Sequence, residues 1–123
     1  MNSDKNKKFY PGDLSISVVM ISLNEAHHLE DVAKNLSGWA KEIFLIDSYS
    51  KDDTIDKALE LGIHVVQRKF QGFGDQWNFA IENMPIKTDW VMKLDPDERM
   101  SDELKDSITQ TITKNVDRVD GMV

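Results

Sequence analysis

Cysteine is absent from the 123 residues, which excludes a disulfide framework and a thiolate metal site and fits a reducing compartment, with the cytoplasm as the expected location. Positive charge is scarce: 15 Lys and Arg stand against 22 Asp and Glu, a formal net charge of −7. A nucleic-acid backbone is therefore not the expected partner, because such binding relies on clustered Lys and Arg. A small anionic ligand stays compatible if a cation bridges it to the protein. No apolar run approaches the roughly 20 residues that span a bilayer, and Met1-Asn2-Ser3-Asp4-Lys5 lacks the apolar core of a signal peptide. Internal repeats and low-complexity tracts are missing too. The length supports one domain with a real core and is short for two.

Residues 1–13 are polar, lysine-rich and broken by Pro11-Gly12, the pattern of a flexible arm. Beyond them, β-branched runs alternate with amphipathic stretches. The pattern predicts strands over 15–22, 42–47, 63–66 and 89–94, and helices over 25–37, 53–61, 74–83 and 101–114. Such alternation is the βαβ signature of an α/β fold with a mostly parallel, Rossmann-like sheet flanked by helices. Ser50-Lys51-Asp52-Asp53 supplies a cap for the second helix, Gly62 ends it, and Ser101-Asp102-Glu103 opens the fourth with acids at its positive end. Arg118-Val119-Asp120-Gly121-Met122-Val123 resembles the start of a further strand, so the chain is expected to stop in mid-fold.

The run Trp90-Val91-Met92-Lys93-Leu94-Asp95-Pro96-Asp97-Glu98 is an apolar strand ending in three carboxylates. Acids crowded at a strand tip repel one another, and the remedy is full solvation or a divalent cation. Hard oxygens favour Mg²⁺ or Mn²⁺. A solvated turn capping the next helix explains the same residues. In a parallel sheet, however, three polar clusters share the edge where ligands bind: Ser22-Leu23-Asn24-Glu25, Asp47-Ser48-Tyr49-Ser50 and Asp95-Pro96-Asp97-Glu98. Together they offer carboxylates and amides for a nucleoside and a cation seat for its diphosphate.

Val18-Val19-Met20-Ile21-Ser22-Leu23-Asn24-Glu25, Ile43-Phe44-Leu45-Ile46-Asp47-Ser48-Tyr49-Ser50-Lys51-Asp52-Asp53-Thr54 and Asp95-Pro96-Asp97-Glu98 follow the order seen in family 2 glycosyltransferases of the GT-A fold, which this chain resembles. Gln71-Gly72-Phe73-Gly74-Asp75-Gln76-Trp77-Asn78-Phe79-Ala80 resembles the subgroup containing lipopolysaccharide-core β-glucosyltransferases. The resemblance implies inverting transfer of a sugar from a nucleotide-diphosphate donor, commonly a UDP-sugar, to a glycan or lipid-linked acceptor in lipopolysaccharide or cell-surface polysaccharide synthesis. It places Asn24, Glu25, Asp47, Ser48, Gln76 and Asn78 at the donor nucleotide. Asp95 and Asp97, with Glu98 as an extra ligand or orienting group, would hold the divalent metal, Mn or Mg, against the diphosphate. The catalytic base and the acceptor-binding half are expected beyond Val123, so residues 14–123 form the donor-binding part. With a lipid-linked acceptor, the full-length enzyme would work at the inner face of a membrane.

Two positions depart from the family pattern. Ser48 stands where many members have a second aspartate, and Trp77 where relatives often carry Arg or Lys, leaving Arg68, Lys69 or Lys93 as substitute cations. Trp39, Phe44, Phe79 and Trp90 fit core positions, whereas Phe73 and Trp77 beside a glycine-flanked loop are candidates for contact with a donor or acceptor sugar. His27, His28 and His64 form no metal-ligand spacing. Two rival readings remain: a phosphoacceptor receiver domain, which lacks here the acidic pair after its first strand, and a catalytically inactive nucleotide-sugar-binding domain.

Overall fold

β1, Ile16–Ser22, is buried at every position but Ile21 and apolar at five of seven, as befits the centre of a sheet covered on both faces. Its neighbours are β2, Glu42–Asp47, and β4, Trp90–Lys93; β3, His64–Gln67, extends the sheet past β2, and β5, Gly121–Met122, past β4. The computed structural model describes residues 8–114 and 121–122. Within them the order is β3-β2-β1-β4-β5, and every paired strand is parallel. The expected mostly parallel α/β sheet is thus the observed one, and all eight expected elements lie within one residue of their forecast ends.

The helices are α1, Ala26–Leu36, α2, Thr54–Leu61, α3, Phe73–Asn83, and α4, Asp102–Lys114. Alternation along β1 divides the core. Ile16, Val18 and Met20 face Leu29, Val32 and Leu36 of α1, Ala58 and Leu61 of α2, and Ile108 and Ile112 of α4. Val19, with Phe44 and Ile46 of β2, faces Ala80 of α3, and Trp77 and Phe79 pack against that smaller cluster. Burying a side chain such as Leu29 or Leu36 completely contributes about 1.5–3 kcal/mol. The core assignment of Phe44 holds, and Trp39, Phe79 and Trp90 are half-buried against the two clusters.

Helix ends follow the boundary residues with one change. Ser101 Oγ accepts the Leu104 N–H at 3.1 Å, as its position before α4 predicts. Gly62 adopts φ +87° to close α2, a left-handed conformation that glycine takes without penalty. Ahead of α2 the residue at the cap position, Asp53, makes no side-chain cap; Asp52, one residue earlier, accepts the Thr54 N–H at 3.0 Å.

Part of the forecast arm is hydrogen-bonded to the domain. The Phe9 N–H donates to Leu61 O and the Gly12 N–H to Ala40 O, each at 2.8 Å, while the Gly38 N–H donates to Tyr10 O at 2.9 Å. A Cβ on Gly12 would sit 2.6 Å from the Gly38 and Trp39 backbone, so only glycine lets these strands of chain approach. Residues 1–7 of that arm lie outside the described residues. So do 118–120 and 123 of the expected last strand, whose residues 121–122 pair with β4.

Candidate functional site at the strand tips

The order 3-2-1-4-5 reverses direction between β1 and β4, and ligands of open α/β sheets bind outside the carboxyl ends of strands at such a point. It also differs from the 2-1-3-4-5 order of receiver domains, which removes that rival. A cleft of about 440 Å³ lies at this edge. Ile21, Ser22, Leu23 and Glu25 line it from the β1 tip, Ser48 from β2, Phe70 and Phe73 from the stretch after β3, and Asp95, Pro96 and Asp97 from the β4 tip.

Asp47 does not reach the cleft as expected of a nucleoside ligand. It is fully buried; Ser22 Oγ donates to its Oδ1 and the Ser50 N–H to its Oδ2, each at 2.7 Å, with the Ser50 hydroxyl also on Oδ1. The carboxylate therefore joins the tips of β1 and β2. Asn24 braces the same loop from the other side. At φ +55°, a left-handed conformation that Asn tolerates better than most residues, it accepts the Lys51 N–H on Oδ1 at 2.8 Å, and its own N–H donates to Ser50 Oγ at 2.7 Å. These two residues shape the cleft from behind it.

Gln76 is fully buried, accepts Arg68 Nη1 at 2.9 Å and donates to the Arg68 carbonyl at 3.2 Å; its Nε2 also lies 3.4 Å from Ser48 Oγ. Its hold on the cleft runs through Ser48. Asn78 is exposed on α3 and is not among the lining residues. The substitute cations stand elsewhere: Arg68 pairs with Asp75 and lies over Phe79, and Lys93 Nζ lies 5.1 Å from the Trp77 ring centroid. Trp77, packed on the smaller core cluster, is a wall of the fold and not of the cleft.

At the β4 tip the chain folds on itself. The Asp95 N–H donates to Glu98 Oε1 and the Glu98 N–H to Asp95 O, each at 2.9 Å, so Glu98 orients the turn and leaves Asp95 and Asp97 to face the cleft. Partial burial raises the Asp95 pKa above the ordinary carboxylate value, and the charges of Glu98 and Asp97 add to the rise. Arg99, which sequence reasoning passed over, donates to the carbonyls of Pro96 and Glu98 at 2.7 Å and of His28 at 3.3 Å, fastening the turn to α1. Asp95 and Asp97 both line the cleft, and hard carboxylate oxygens suit a divalent ion.

The histidine reading is also amended: Glu25, His27 and His28 bring ligand atoms within 4.8 Å of one another. They sit at the N-terminus of α1, Glu25 at the cap and the histidines in the first turn, where the helix dipole opposes a cation, and the two histidines carry no assignment.

Residues 17–122 match the sequence profile of glycosyl transferase family 2. The chain belongs to that family. It is 36% identical over 104 residues to a Rickettsia bellii protein described as an uncharacterized glycosyltransferase, covering 84% of this chain and 35% of that protein. A Rickettsia prowazekii protein of the same description is 35% identical over the same shares, and one from Rickettsia felis is 34% identical over 76% of this chain and 32% of its own length. This family 2 chain thus spans about a third of the curated relatives it matches. Among its described residues, no helix is long and apolar enough to cross a membrane.

Proposed function

We propose that this family 2 domain is the donor-binding part of an inverting glycosyltransferase that takes a UDP-sugar and passes the sugar to a glycan or lipid-linked acceptor in lipopolysaccharide or cell-surface polysaccharide synthesis. The observation that carries the reading is the cleft at the sheet's reversal point, with Asp95 and Asp97 on one side and Glu25 and Ser48 beside them. Glu25 and Ser48 are the direct partners of the nucleoside. Asn24, Asp47 and Gln76 hold those partners in register, and Asn78 contributes through α3 outside the cleft. Asp95 and Asp97 would hold Mn²⁺ or Mg²⁺, with Glu98 orienting their turn. When bound, that ion supplies Lewis-acid stabilisation of the charge that develops on the departing diphosphate. The chain's own part is to fix the donor against the strand tips, and the general base that deprotonates the acceptor is assigned to no residue described.

Isothermal calorimetry of UDP tests this. Affinity should be strong with Mn²⁺ or Mg²⁺ and fall sharply in EDTA, and Asp95→Asn with Asp97→Asn should remove the metal dependence. Equal affinity with and without metal in the unaltered protein would sink the reading.

A further inference from the structure

Phe70 and Phe73 are 43% and 64% exposed, and neither belongs to the core clusters. Exposed apolar side chains scattered singly need no explanation, and Leu59, Ile81 and Leu104 are of that kind. These two are different. Their rings meet edge to face with centroids 5.0 Å apart, and both stand in the wall of the cleft. An edge-to-face pair leaves a ring face free for a third flat partner.

Their place along the sheet limits what that partner is. The phenylalanines follow β3, the acids follow β4, and β2 and β1 lie between them. Three interstrand spacings amount to about 14 Å, a separation that an extended nucleoside diphosphate spans from its base to its far phosphate. The diphosphate belongs with the acids, through a cation. The donor sugar hangs from the same phosphate, and an acceptor must reach the sugar's anomeric carbon, so both of these crowd the acidic end. The flat, uncharged base is the one part of the donor that reaches the aromatic end. Ser48, on the intervening β2 tip, offers a hydroxyl to the edge of such a base.

We propose that Phe70 and Phe73 form the stacking platform for the donor's nucleobase. This deepens the donor-binding reading and rests on it. Stacking on an aromatic ring is sequence-tolerant, so the platform contributes affinity while the hydroxyl and carboxylate near it choose among bases.

The test compares two probes on the whole chain, UDP and inorganic pyrophosphate, each with Mn²⁺ and each titrated by calorimetry into the unaltered protein and into Phe70→Ala, Phe73→Ala, Phe73→Leu and Phe73→Trp. Pyrophosphate shares the diphosphate and lacks the base. Both alanine variants and the leucine variant should weaken UDP by roughly 5- to 150-fold, the range for loss of one stacked ring. Pyrophosphate should be unaffected, and tryptophan should keep the UDP affinity. Urea midpoints should move only slightly, by the loss of one edge-to-face contact between partly exposed rings. UDP affinity unchanged in the alanine variants overturns the platform and leaves the metal-bridged donor site standing. Parallel loss of both probes overturns it as well, because the rings would then serve the diphosphate or the fold. If UDP does not bind the unaltered protein, the donor reading falls and the platform with it.

Discussion

Asp52 and Asp95 are both exposed carboxylates at the same sheet edge, and their surroundings move their proton affinities in opposite directions. The Thr54 hydroxyl, helped by the backbone N–H groups of Thr54 and Ala26, holds Asp52 below the ordinary value. Its contribution to stability is therefore complete above about pH 4 and is lost as pH falls through the lowered folded value. Asp95 is raised, so ionising it weakens the fold; that penalty is absent below the ordinary value and complete once pH passes the raised one. In EDTA at pH 7, Asp52→Asn should lower the urea midpoint and Asp95→Asn should raise it, with both differences shrinking toward pH 3. A midpoint that falls in Asp95→Asn would show that its neighbours do not strain it. The division between residues that face the cleft and residues that brace it was not legible in the sequence. Asn24 and Asp47 look like ligands by type and position, but the partners that occupy Asp47 include Ser22, and those of Asn24 include Lys51, each more than twenty residues distant.

The elements themselves were legible because their signals are periodic and local: the continuous apolar run of β1, the amphipathic spacing of Leu29, Val32, Ala33 and Leu36, and the glycine at 62. What joins one element to another carries no period. Phe70 sits in an irregular stretch after β3, so nothing in the pattern marked it for the cleft. The seam between α1 and the turn after β4 is of the same kind. Asn35 accepts the Met100 N–H at 2.7 Å and donates to the Met100 carbonyl at 2.9 Å, and the Lys105 ammonium donates to the Asn35 carbonyl. Asn35→Ala leaves both Met100 groups without that partner, and the expected loss is about 1–3 kcal/mol in urea denaturation. UDP affinity in Mn²⁺ should drop with it, because the turn bearing Asp95 and Asp97 ends at this clamp. Unchanged affinity at reduced stability would show that Arg99 alone positions the acids.

At the scale of the molecule the sheet has a working pole, where the strands end, and an anchoring pole, where they begin. The segment from Phe9 to Gly12 is tied at the second, to Leu61, Ser37 and Ala40. That placement decides how the protein meets a solid support. A chain held through the Phe9–Gly12 segment points its cleft away from the support, with the length of the strands between that segment and Asp95. Sensor chips loaded through an amino-terminal tag should accordingly report the same Mn²⁺-dependent UDP affinity as free protein in calorimetry, whereas coupling at residues introduced beside Tyr49, exposed at the ligand-binding pole, should depress it.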